Sequence, residues 1–303
     1  MHHLSLTRQI VAAIVVITGL LVSHLHAAPS LWGHGHPYIV ALEDNAAIYT
    51  TRYALVAYDT PPRAKSDGEF LSRFIWQDAA LANVLPGGLA VGDFWPPTSA
   101  SGAGQEYLAM ARRYGNAISV EVYRAPGVYG TRAWGLQSST LLVGNAPANG
   151  SNDVVCIAAG NVTAAYGGSE LLVVQSLSDN YAAQPRAQLL VYSRPGTPQE
   201  TNWVLRSVVS SPTLFPAGAR VIGMTAGDYT YAGRDWLSLL YQQNGSNVVR
   251  HFDLSALPTV TARGEDTRTF ATAQPFCVAA ADFLKEYKLV GRDQLVTIER
   301  DGV

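Results

Sequence analysis

Apolar residues in this chain come in short runs of strand length, closed by glycine, proline or polar turn residues, with no long stretch of helical period. Val154 to Gly160, Leu171 to Gln175 and Leu189 to Ser193 are three such runs. Apolar runs of this length, closed by turn residues, predict short strands. Four of the runs close on the same grammar: a small residue, then Asp or Asn, then an aromatic or aliphatic residue. The copies are Gly92-Asp93-Phe94, Gly160-Asn161-Val162, Gly227-Asp228-Tyr229 and Ala281-Asp282-Phe283. A loop follows each, then glycine, one residue, an acid and a new strand: Gly104 to Glu106, Gly168 to Glu170, Gly233 to Asp235 and Gly291 to Asp293.

The Asp/Asn markers are 68, 67 and 54 residues apart, and four strands can be read around each. Strand A runs into the marker: Gly88 to Phe94, Val154 to Val162, Val221 to Tyr229 and Phe276 to Phe283. Strand B follows the acid: Tyr107 to Ala111, Leu171 to Gln175, Trp236 to Tyr241 and Gln294 to Ile298. Strand C ends near a proline: Ser119 to Pro126, Gln188 to Pro195 and Val248 to Pro258. Strand D lies near Trp134, Trp203 and, in the third unit, Phe270. At the N-terminal side Tyr38 to Leu42 reads as B, Tyr53 to Pro61 as C and Phe74 to Ala79, with Trp76, as D, and no A strand is read before them. A repeated four-strand unit buries its apolar faces only against its neighbours, which is the sequence signature of propeller blades. The expected fold is all-β: a β-propeller of four-stranded antiparallel blades, incomplete, with about four to five blades visible. A β-sandwich is the competing architecture, and four copies of one loop grammar weigh against it.

The stretch from Gly227 to Leu237, and Gly291 to Val296, resembles the FG-GAP or VCBS-type repeat of integrin-like propellers. The resemblance covers roughly Tyr38 onward and is looser in the first two units. It implies a propeller, in that family most often of about seven blades. The chain is too short for that number at this period, so the reading favours a piece of a longer protein. The other option joins the C-terminal A and B strands to the N-terminal C and D strands in one blade.

Met1 to Gln9 carries one arginine, Ile10 to Val22 is apolar, and Ala27 and Ala28 precede Pro29. This order resembles a secretory leader, residues 1–27, with cleavage at Leu25-His26-Ala27. A spanning helix needs about 20 apolar residues, and no later run reaches that length. The expected location is therefore secreted, periplasmic or cell-surface, with propeller units over 28–303: a partial blade at 38–80, then units starting near 88, 154, 221 and 276. Net charge is −2 and only 15% of residues are charged. Nucleic acid is not an expected partner, because phosphate binding needs a concentrated Lys/Arg face. Cys156 and Cys277 each lie five residues before a marker, in slots two units apart. A bridge needs Cα atoms within about 7 Å, so buried free thiols are expected.

In the resembled family the A–B loop chelates calcium through several acidic or amide oxygens. Calcium takes six to eight oxygen ligands, and here only the flanking acids remain, apart from Glu286. No cofactor is expected in most units; the first Asp instead accepts backbone N–H bonds in an Asx-type turn. The third unit, with Asp228 and Asp235, is the remaining candidate calcium site. Each loop also offers one aromatic: Trp95, Tyr166, Tyr231 and Tyr287. On a shared rim these form candidate stacking surfaces for a glycan or protein, or else they cover blade edges. Beyond the leader histidine is limited to His34, His36 and His251, and no Gly-x-Ser-x-Gly elbow accompanies them. The expected function is a secreted, non-catalytic binding or scaffold module for a protein or glycan. The alternatives are an extracellular carbohydrate-active enzyme, or an accessory domain of a larger secreted enzyme.

Overall fold

The computed structural model describes residues 21–28, 38–44, 52–59, 71–94, 107–124, 135–136, 141–145, 153–163, 168–177, 186–194, 203–230, 233–268, 273–281 and 293–301. These residues form a β-propeller of antiparallel sheets. Blade one is β1 (Leu21–Ala28), β2 (Tyr38–Asp44), β3 (Tyr53–Asp59) and β4 (Leu71–Gln77) in that order. Blade two is β5 (Val84–Gly92), β6 (Tyr107–Tyr114) and β7 (Ala117–Arg124). Its outer place is divided between β8 (Gly135–Leu136) and β9 (Leu141–Asn145), both paired with β7. Blade three is β10 (Val154–Gly160), β11 (Glu170–Ser176), β12 (Ala187–Ser193) and β13 (Val204–Val209). Blade four is β14 (Ala219–Gly227), β15 (Trp236–Gln243), β16 (Ser246–Ala256) and β17 (Thr259–Arg268). Blade five contributes β18 (Ala273–Ala281) and β19 (Gln294–Asp301).

The inner strands lie side by side in the order β1, β5, β10, β14, β18, and β18 also touches β1. Each successive pair of sheets from blade one to blade five encloses its own apolar layer. Leu171 and Val173 of β11 point back to blade two, among Phe94, Ala109 and Val122. Leu172 and Val174, their neighbours along the strand, point forward to Met224, Leu239 and Phe252 of blade four. Alternation therefore delivers both parities of β11 to a core, and the strand reads as an unbroken apolar run. The outer strands break this pattern: Leu205 and Val208 of β13 are about half exposed.

Two differences from the sequence expectation concern strand bookkeeping. Strand D of blade four is β17, joined directly to β16, so it precedes Phe270 instead of lying at it. Blade one has an inner strand after all. β1 pairs with β2 along Leu21–Ala28, and its backbone repeats a feature of β10, β14 and β18: the register shifts once, four residues before the strand ends. The position after the shift is held by His24, Cys156, Gly223 and Cys277, and the last position by Ala28, Gly160, Gly227 and Ala281. β1 lies across the segment read as the exit of a leader. The N-terminal and C-terminal strands also belong to separate sheets, β1–β4 and β18–β19, and do not share a blade. Among the described residues, no helix is long and apolar enough to cross a membrane.

Candidate functional site

The marker follows the ends of inner strands β5, β10, β14 and β18, and at two junctions the structure assigns the following acid a job between blades. Asp235 of blade four accepts the backbone N–H of Asn161 in blade three at 2.7 Å, and its own N–H donates to the Asn161 carbonyl at 3.1 Å. Asp293 of blade five does the same with Asp228 of blade four, at 2.7 and 2.9 Å. Between blades two and three Ser169 holds the corresponding place, its N–H donating to the Asp93 carbonyl at 2.5 Å. Glycine before the marker makes room for this clamp. A Cβ on Gly160 would stand 2.8 Å from Asp235 Oδ2, and one on Gly227 2.9 Å from Asp293 Oδ2.

Pairing corrects the sequence alignment at one residue. Glu170 stands opposite Gly160 as Trp236 stands opposite Gly227, so the counterpart of Asp235 is Ser169, not Glu170. Glu170 turns into its own blade, where Oε2 accepts the Val162 N–H at 2.9 Å and Oε1 the Thr163 hydroxyl. Burial raises its carboxyl above the ordinary range against those hydrogen bonds. Burial likewise raises Asp235, partly offset by the Asn161 N–H.

The candidate calcium pair is divided between two tasks. Asp228 caps its own loop: Oδ1 accepts from Thr230 N and Oγ1, and Oδ2 accepts the Gly233 N–H at 2.7 Å. This is the Asx-type turn expected from the sequence. Asp235 faces the preceding blade. Among the described residues no group of three or more His, Cys, Asp or Glu side chains gathers at a point. Calcium needs more oxygens than this pair offers. A thermal melt in calcium is expected to match one in chelator, and a raised midpoint in calcium would favour the metal reading.

The four loop aromatics, Trp95, Tyr166, Tyr231 and Tyr287, lie outside the described residues, as do His34 and His36. Cys156 is a buried free thiol, and burial pushes it far above the thiolate range, unlike a nucleophilic cysteine. The side chain of Cys277 lies outside the described residues.

Sequence reasoning missed two polar clusters. In blade two, Glu121 accepts from Arg112 at 2.6 Å, from Tyr114 at 2.6 Å and from Tyr123. Arg112 also donates to the Ala80 carbonyl in the 3-10 turn at Ala79–Asn83, which links the first two blades. Burial pushes Tyr114 up to about 12 and raises Tyr123 further, which suits neither for proton transfer near neutrality. In blade four, Ser238 lies 2.8 Å from His251 Nδ1 and 2.9 Å from the Tyr229 hydroxyl. That serine is fully buried, so the pair is not a reachable nucleophile and base. Both clusters could have been suspected only from polar residues inside apolar strands, a weak signal without the pairing. No family model matches this chain, and no curated protein matches it.

Proposed function

We propose that the protein is a secreted, non-catalytic binding or scaffold module that presents its marker-end loops to a protein or glycan. The observation that carries this reading is the backbone hydrogen bond repeated at three successive blade junctions, which at two of them is accompanied by an aspartate side-chain bond. It ties the marker residues Asp93, Asn161 and Asp228 to the next blade at equivalent places. A rigid rim with variable loops suits recognition, because binding residues on loops held by a scaffold lose little conformational freedom on contact. The low charge and absence of a basic run favour a neutral glycan or protein over nucleic acid. The FG-GAP/VCBS resemblance supports the same reading.

A glycan array probed with the intact protein tests it. Binding is expected, and the Trp95→Ala, Tyr166→Ala, Tyr231→Ala triple variant is expected to lose it, since stacked aromatics dominate such contacts. Binding unchanged in the triple variant overturns the rim-aromatic proposal. Sugar turnover by the wild type would move the protein to the enzyme reading.

A further inference from the structure

At three successive junctions one rule governs how inner strands meet. The last residue of one strand stands against the next-to-last residue of the strand that follows it in the ring. A Cβ on Gly92 would lie 2.8 Å from Ala159 Cβ, one on Gly160 2.6 Å from Ala226 Cβ, and one on Gly227 2.8 Å from Ala280 Cβ. Backbones that come this close favour small residues at both positions. Accordingly β10, β14 and β18 end in Ala159-Gly160, Ala226-Gly227 and Ala280-Ala281.

β1 ends in a pair of the same kind, Ala27-Ala28. Its place is also that of an inner strand. It lies against β18 on one side and β5 on the other, continuing the order of the rest. It pairs antiparallel with β2 at seven positions, from Leu21 opposite Asp44 to Ala28 opposite Tyr38. Val40, Ala41 and Leu42 of β2, opposite His26, Leu25 and His24, are at most 2% exposed.

These eight residues lie across the expected leader exit, and the two readings make opposite demands on them. A cut after Ala27 would leave only Ala28 of β1. It would strip one edge of β2 of its partner and empty the place between β18 and β5. The backbone groups of a buried strand would then lack their hydrogen bonds, and an apolar edge would be open to other chains. The local sequence also fits a cut poorly. A cleavage site asks for small residues at both ends of a three-residue frame. Leu25-His26-Ala27 and His26-Ala27-Ala28 each have a small residue at one end only.

We propose that Leu21–Ala28 is retained in the working protein as the inner strand of blade one, with Ala27-Ala28 as a packing pair and not a processing site. An export signal upstream is compatible with this, provided that any cut falls before Leu21. The proposal does not depend on what the loops recognise, so a failed binding test leaves it standing.

Two measurements decide it. The first is the N-terminus of the protein recovered from the cells that make it and from their medium, read by intact mass and terminal sequencing. A first residue at or before Leu21 is expected, and a first residue at or after Val22 overturns the proposal. The second is amide exchange of the full 303-residue chain. The β1 amides that bond to β2 are expected to exchange at least about hundredfold more slowly than an unstructured chain, as those of a packed strand do. β10 serves as the reference inner strand. Exchange of all of Leu21–Ala28 at the unstructured rate overturns the proposal, whichever N-terminus is found.

Discussion

Glu121→Leu is expected to lower unfolding free energy by about 3–5 kcal/mol, because it leaves the Arg112 guanidinium buried without its counter-ion. The two side chains are only 7% and 9% exposed and meet at 2.6 Å. Glu121 collects three donors from Arg112, Tyr114 and Tyr123, and Arg112 passes the connection on to the Ala80 carbonyl. The double variant Arg112→Met, Glu121→Leu is expected to be near the wild type, because it removes both charges and fills the space with apolar atoms. Chemical denaturation of the two variants decides the matter. Equal losses would mean that packing, not the ion pair, holds this region. The sign of the pH effect follows from the carboxyl itself. Burial alone would raise it, but hydrogen bonds from the two tyrosines and Arg112 hold it below 4.5. Its contribution is thus complete above that value and is lost as pH falls through the folded-state value.

Gly160→Ala is expected to cost about 1–3 kcal/mol, the usual range for forcing an atom into a filled space. The new Cβ would stand 2.6 Å from Ala226 Cβ and 2.8 Å from Asp235 Oδ2. Neither can move aside easily: Ala226 is part of β14, and Asp235 holds the Asn161 N–H. Gly264→Ala is the matched control, since nothing lies within 4 Å of its Cβ position. That change is expected to stay within about 0.5 kcal/mol, as for most exposed sites. If both glycines tolerate alanine equally, the close approach of blades three and four is not what that glycine serves.

The starts of the second strands were legible in the sequence: β6, β15 and β19 begin at Tyr107, Trp236 and Gln294 as the loop grammar indicates. The apolar runs and their turns are local signals, and Asn244-Gly245, both with positive φ, forms the hairpin between β15 and β16 that its dipeptide favours. Other features were not legible. The loop before Glu170 is one residue out of step with the others at its end, and only pairing shows that Ser169 takes the acid's place. β1 carries no marker, and small apolar residues serve a leader and an inner strand equally well. The meeting of His251 with Ser238 and Tyr229 was not legible either, because it is made by pairing between strands.

By itself the sequence determined an all-β chain of repeated four-strand units, because alternation, turn chemistry and a recurring loop act over a few residues. Only the tertiary structure decided which acid clamps which blade, which glycine admits it, and which polar side chains meet inside the sheets. Those are contacts between residues some 65 to 74 positions apart in the clamps, and the partner of a side chain at that separation depends on how one sheet lies against the next.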